Sequence, residues 1–258
     1  MTNLLKKTAT LLVLLFTLVP AAPAQRLRAS AGAKAKGSVD EVEQLLTRYV
    51  LAQGGVALFK LRTRITRGRV ELSESPVAGT FESYSKGRDK EMSIVNAPIG
   101  QFISATDGDS HWRQAPWGAA TKVGFGGGEN ILKDAGKGNG SYKFRDAFSA
   151  ARLKGRATVD GREMVVLAAT PKGDKPVLMY FDAETHLLRK EEPDRAAGGW
   201  GDDPLKAIYI DSYATVDGVK VPALFRIVTN EFTLTFRVTE VRHNVEIDDA
   251  LFRGPAGK

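Results

Sequence analysis

The stretch Phe232-Thr233-Leu234-Thr235-Phe236-Arg237-Val238-Thr239 places an apolar side chain at every second position. Side chains on extended backbone point alternately to opposite faces, so this segment buries one face and wets the other, the habit of antiparallel sheets. Weaker runs of the same kind cover residues 80–86, 91–95, 100–106, 164–170, 177–182, 207–213 and 219–228, in a strand-dominated region that begins at Arg62. Asp107-Gly108, Asp160-Gly161 and Asp217-Gly218 each stand between two such runs, and Asp-Gly accepts the positive φ angles of tight hairpin turns. No long helical pattern interrupts the strands, which favours a meander over a parallel βαβ sheet. The pattern predicts about ten strands. Ala157-Thr158-Val159-Asp160-Gly161 recurs as Ala214-Thr215-Val216-Asp217-Gly218, but the sequences after the two turns diverge. The likeness is therefore shared hairpin chemistry and not duplication, and no solenoid period is present.

One helix is expected ahead of the sheet. Ser38-Val39-Asp40-Glu41 fits a capping box, and Val39, Val42, Leu45, Leu46, Tyr49 and Val50 recur at three- and four-residue steps that make one apolar face. Gly54-Gly55 supply the stop, and Val56, Leu58, Phe59 and Leu61 continue as a short second turn or helix. Residues 124–140 are too glycine-rich for a strand or a stable helix and read as a long loop of the kind that often serves as a lid. A short amphipathic helix is expected over residues 141–151, with Phe144 and Phe148 on one side at a four-residue step.

The first residues read as an export signal. Lys6-Lys7 precede the apolar Leu11-Leu12-Val13-Leu14-Leu15-Phe16, and Ala22-Pro23-Ala24 supply the small residues before a cut after Ala24. The apolar run is about half of the roughly 20 residues that span a bilayer, and no later segment is longer. The expected organisation is a signal peptide over residues 1–24, a flexible leader over 25–37, and a single domain over 38–258. With no cysteine, the mature chain has neither an acylated N-terminal cysteine nor a disulfide, thiol nucleophile or zinc-thiolate site. It is expected to be periplasmic, soluble after cleavage and without an integral membrane segment. The formal charge is +7, and removal of Lys6 and Lys7 leaves +5. Basic and acidic residues interleave, as in Arg189-Lys190-Glu191-Glu192, so no nucleic-acid footprint is read.

No catalytic constellation survives a check of spacing. His111, His186 and His243 form no H-E-x-x-H or H-x-H pair, so no metal site is expected. Ser83 and Lys86 match S-x-x-K, but in strand-like sequence positions three apart face opposite ways. Gly136-Lys137 is followed by Gly138, and Ile131 stands where a P-loop needs its first glycine. Asp202-Asp203 and Asp248-Asp249 point apart on extended backbone, and Asp107 and Asp109 have too few further oxygens in register for a calcium loop. No cofactor is expected and no enzyme activity. The candidate site is apolar: Trp112, Trp117, Phe125, Phe144 and Phe148 fall in or around the glycine-rich segment and could line a pocket or lid for an apolar ligand.

Several of these elements together resemble a known pattern: Leu51-Ala52-Gln53-Gly54-Gly55 closing the helix, Thr80 to Lys86, Thr106-Asp107-Gly108 before Trp112, Tyr180 to Thr185, Tyr213 to Pro222, and Asn244 to Phe252. The chain resembles the outer-membrane lipoprotein-sorting-like proteins, the LolA/LolB-type superfamily, and especially its periplasmic members. The resemblance implies an α+β fold that is mainly antiparallel β: a curved, unclosed β-barrel with an N-terminal helix and a loop or helix lid over a concave apolar face that accepts acyl chains. It further implies a non-catalytic binding protein or carrier for a lipid or a lipoprotein acyl group, with an envelope sensor or adaptor that binds a protein partner as the alternative. Two departures stand out. His186 follows the Asp-Ala-Glu-Thr turn where relatives often have glycine, and the glycine-rich loop replaces the usual central lid helices. No ligand-contacting residue transfers by motif.

Overall fold

The computed structural model describes residues 37–73, 78–87, 90–98, 100–116, 118, 121–123, 148–171 and 175–253. The expected signal segment and nearly all of the leader lie outside these residues. The first helix, α1, spans Gly37–Gln53. Its Val42, Leu45, Leu46, Tyr49 and Val50 are all buried, the stripe that their three- and four-residue steps require. The side chains of residues 37–40, the expected Ser38 cap among them, lie outside the description. Gly54 (φ 129°) and Gly55 (φ 54°) turn the chain, and a single helical turn, α2, follows at Val56–Phe59.

Thirteen strands then form one sheet among the described residues, three more than the alternation predicts. They are β1 (Thr63–Leu72), β2 (Ala78–Lys86), β3 (Lys90–Ala97), β4 (Gly100–Asp107), β5 (His111–Gln114), β6 (Thr121–Val123), β7 (Phe148–Val159), β8 (Arg162–Pro171), β9 (Val177–Asp182), β10 (Leu188–Pro193), β11 (Leu205–Val216), β12 (Val219–Thr229) and β13 (Thr233–His243). The spatial order is β6-β5-β4-β3-β2-β1-β13-β12-β11-β10-β9-β8-β7. Two antiparallel meanders thus grow outward from a central seam in which the first strand pairs with the last. The sheet curls without closing, and β6 and β7 are its edges.

All three Asp-Gly dipeptides stand in hairpins, but only two have both residues at positive φ; at Asp107-Gly108 only Gly108 does, with φ 100°. Asp160 and Gly161 have φ of 49° and 76°, and Asp217 and Gly218 have 50° and 77°, the paired positive angles of a type I′ turn. At Asp107-Gly108 the Asp107 Oδ1 accepts from the backbone N–H of Asp109 and Ser110 at 3.0 and 2.7 Å. His186 adopts φ 59°; the turn before it is held by Asp182 Oδ1, which accepts from the N–H of Glu184 and Thr185 at 3.0 and 2.8 Å.

One expected element is corrected. Residues 148–151, read as the end of an amphipathic helix, begin strand β7 instead, with Phe148 opposite Pro171 and Ala151 opposite Ala169. The four-residue step between two phenylalanines is a local signal, and the backbone ladder to β8 outweighs it. The rest of that expected helix and the glycine-rich loop lie outside the described residues.

The register sorts the strands' side chains onto two faces, because directly paired residues project to the same side. On the inner face, α1 packs on Leu167, Ala169, Val177, Met179, Phe181 and Leu205, and the Tyr49 ring meets Phe181 edge-on at 5.1 Å. On the outer face, a row running Ile65, Tyr84, Met92, Ala105, Trp112 crosses β1 to β5. The chain after β13 returns over that row: Val245, Ile247, Leu251 and Phe252 pack on it, the last two from a 3-10 helix at Asp249–Phe252.

A candidate ligand-binding face

The inner face beside the helix is divided along the strand direction. Its apolar half is built where the alternation of β13 meets β1, β2 and β12. Phe236 pairs with Val70 on one side and Phe225 on the other, and the two phenylalanine rings stack with centroids 4.7 Å apart. Phe81 meets Phe236 edge-on at 5.3 Å and Phe225 at 6.2 Å. The next row runs Gly68, Phe81, Val95, Phe102. A Cβ on Gly68 would lie 2.5 Å from the Phe81 ring and 2.2 Å from the Arg237 carbonyl oxygen, so the glycine lets the ring lie over the β1 backbone. Phe232 and Leu234 complete this cluster. Ile227 packs against both it and the helix cluster, which makes the apolar surface continuous.

Further along the same strands the inner face turns polar. One row runs His243, Arg64, Ser85, Glu91, Thr106, His111, and the row between it and the phenylalanines carries Thr66, Ser83, Ser93, Ser104 and Arg113. Burial pushes the His111 imidazole down to about 4, with the Arg113 charge acting in the same direction, and Ser104 Oγ lies 2.9 Å from its Nε2. Burial also lowers the Arg64 guanidinium, against the opposing influence of Glu91 and Tyr49. The Tyr49 phenol is pushed up, first by burial and then by Glu191. Tyr213 is pushed up by burial, and its hydroxyl donates to the Leu188 carbonyl at 2.6 Å. The His243 side chain is 1% exposed, with Nδ1 3.0 Å from Asp217 Oδ2 and Nε2 buried without a hydrogen-bond partner.

This arrangement can hold a molecule with one apolar and one polar end. One hydroxyl among the described residues, Ser104 Oγ, lies within hydrogen-bond reach of an imidazole, that of His111. Ser85, the nearer of the two hydroxyls in the row of His243, stands two strands away from it, about 9–10 Å and out of hydrogen-bond reach. Ser83 and Lys86 face opposite ways: Ser83 lies in the inner polar row, whereas Lys86 Nζ donates to the Ile247 carbonyl at 2.6 Å under the returning C-terminal segment. Among the described residues no group of three or more His, Asp or Glu side chains is placed to hold a metal ion.

Of the five expected site aromatics, Trp117, Phe125 and Phe144 lie outside the described residues. The other two do not meet. Trp112 is on the outer face, 8% exposed, beneath the C-terminal segment. Phe148 is on the inner face, 5% exposed, in the helix cluster. Phe81, Phe225 and Phe236, which form the inner wall, were absent from the expected set. The signal that could have found them is the alternation itself, because Phe236 is an apolar position of the clearest strand.

An open antiparallel sheet with an N-terminal helix across its inner face and a polar-to-apolar gradient along it defines a class: an unclosed half-barrel with a helix on its concave side. The particular fold within that class is the one shared by the lipoprotein-sorting-like proteins. A DUF1329 family protein from Desulfovibrio piger superposes with a TM-score of 0.56 at 15% identity, over 84% of this chain and 97% of that one. A domain assigned to outer membrane lipoprotein sorting, from Vibrio parahaemolyticus, gives 0.52 at 13% identity, over 85% and 97%. A LolA superfamily protein from Nitrosomonas europaea gives 0.52 at 12% identity, over 84% and 97%. No family model and no curated protein matches the sequence.

Proposed function

We propose that this chain is a non-catalytic binding protein for an amphiphile, a free lipid or a lipoprotein acyl group, and that it acts in the periplasm after export. The observation that carries this reading is the division of one sheet face into a stacked phenylalanine wall and an adjoining polar band. The acyl chain lies against Phe81, Phe225 and Phe236, and the polar end reaches the rows of Ser83, Ser93 and Arg64. Removing an apolar chain from water is worth about 0.8 kcal/mol per methylene, so a chain of a dozen carbons supplies up to about 10 kcal/mol against an association cost of about 4–15 kcal/mol. The fold's neighbours named for lipoprotein sorting support the reading at the level of fold.

The test is native mass spectrometry and lipid extraction of the full chain purified from a periplasm, with titration of a fluorescent fatty acid. A co-purifying lipid, and probe binding that weakens in Phe225→Leu, are expected. Repeated recovery of the protein without lipid, together with absence of probe binding, would overturn the proposal.

A further inference from the structure

The large hydrophobic side chains left exposed among the described residues all fall within one nine-residue stretch: Leu51 is 66% exposed, Val56 71% and Phe59 37%. They sit at the corner between α1 and α2. The corner is fixed from beneath. A Cβ on Gly54 would lie 2.6 Å from the Gly218 carbonyl oxygen, and one on Gly218 would lie 3.5 Å from the Ala57 Cβ, so the backbone rests directly on the β11–β12 turn. Gln53 beside it is buried. The apolar side chains therefore project from a braced knuckle. Leu51 reaches back over Gly55, whose Cβ position is 3.5 Å from its Cδ2. Val56 and Phe59, three residues apart on one helical turn, continue the patch.

The charged side chains nearest the knuckle in sequence are positive. Arg48, one turn before Leu51, is exposed, as are Lys60 and Arg62 directly after α2. The nearby acids are Glu43, half-buried on α1 before Arg48, Glu246, which lines a pocket of about 650 Å³ together with Leu61, Arg62 and Lys86, and Asp217, whose carboxylate lies 3.0 Å from the His243 ring. Apolar side chains ringed by cations match the boundary of an anionic bilayer, where the chains enter the acyl region and the cations meet lipid phosphates. A monomer gains nothing in solution from exposing such a patch.

We infer that the α1–α2 knuckle docks the protein onto an anionic membrane surface, with Leu51 and Val56 inserted and Arg48, Lys60 and Arg62 at the headgroups. The surface is separate from the inner phenylalanine wall, so docking and ligand binding can be tested apart.

The experiment is flotation of the full chain with vesicles of phosphatidylglycerol and phosphatidylethanolamine, and with vesicles of phosphatidylcholine alone. Binding to the anionic vesicles that falls with salt is expected, together with a loss of roughly tenfold or more in Leu51→Ser/Val56→Ser. Arg48→Gln/Lys60→Gln should weaken binding to the anionic vesicles only. Both sites in each pair are exposed, and an unchanged thermal unfolding curve confirms that each variant folds. Absence of vesicle binding, or equal binding by Leu51→Ser/Val56→Ser, overturns the inference. So does a stoichiometric envelope-protein complex that needs Leu51 and Val56 while vesicles are ignored. The fatty-acid titration is the control: if it is intact in Leu51→Ser/Val56→Ser, any docking loss is independent of the inner face, and if it fails in the unmodified chain, only the inner-face reading falls.

Discussion

The indole N–H of Trp112 on β5 donates to the main-chain carbonyl of Phe252 at 3.2 Å. The bond joins two residues 140 positions apart and clamps the chain after β13 onto the outer face. Trp112→Phe keeps most of the packing but leaves the buried Phe252 carbonyl without its donor, so it should cost about 1–3 kcal/mol. Phe252→Ala empties a fully buried position and should cost about 3–5 kcal/mol. Urea denaturation measures both, and hydrogen exchange should show residues 245–252 losing protection first.

Phe236→Ala removes a ring that contacts both Phe225 and Phe81. A loss of about 3–5 kcal/mol is expected. Because that destabilisation complicates a binding assay, Phe225→Leu, which conserves more volume, is the variant for ligand affinity; it should weaken fatty-acid binding while changing the unfolding midpoint little.

His111 gives a pH dependence of defined sign. Its folded value of about 4 lies below the ordinary 6.5, so the unfolded chain binds the extra proton between these values. The contribution to stability is fully present above 6.5, is lost as the pH falls from 6.5 to 4, and levels off below that. Thermal unfolding followed from pH 7 to pH 4 should fall, and His111→Gln should flatten the slope.

Asp249 titrates lower. Lys86 and Lys90, each 2.7 Å from one of its oxygens, draw its carboxyl down to about 2. Its contribution is present above the ordinary carboxylate range and lost as the pH falls toward 2. Asp249→Asn should loosen the C-terminal segment at neutral pH and remove this part of the acid dependence, read by hydrogen exchange of residues 245–252.

Two adjacent glycines should respond unequally to alanine. At Gly54 a Cβ meets the Gly218 carbonyl at 2.6 Å and φ is 129°, whereas at Gly55 the nearest contact is Leu51 at 3.5 Å and φ is 54°. Gly55→Ala should cost about 1–3 kcal/mol from backbone strain alone, since φ 54° with ψ −119° is a conformation that side-chain-bearing residues rarely adopt. Gly54→Ala should cost more, because the β11–β12 turn must shift. Comparative chemical denaturation of the two variants settles the order.

Much of the architecture was legible in local chemistry. The face of α1 followed from spacing, the hairpins at Asp160-Gly161 and Asp217-Gly218 from the positive φ that Asp-Gly tolerates, and the meander from the lack of helices between strands. β10 was harder to read. In Leu188-Arg189-Lys190-Glu191-Glu192-Pro193 the charged residues hide the alternation, because Lys190 is placed over the Tyr180 and Tyr209 rings at 4.8 and 5.5 Å. Strand character there depends on partners that only the neighbouring strands supply.

The candidate site was less legible than the fold. Trp112 and Phe148 are close in composition to what a pocket would use, yet the pleat sends one to each side of the sheet. His243 and Asp217 are 26 residues apart and meet only because the tip of the β11–β12 hairpin lies against the end of β13.

The sequence by itself determined the helix, the hairpins and which side of each strand is apolar, since those depend on backbone preferences and on the two periodicities of side-chain direction. The tertiary structure alone decided that β1 pairs with β13, that the C-terminal segment folds back onto Trp112, and that Phe81, Phe225 and Phe236 stack while Arg64, Glu91 and His111 line up beyond them. Those relations are registers between segments far apart in the chain, fixed by the summed pairing and burial of a whole sheet rather than by any short stretch of residues.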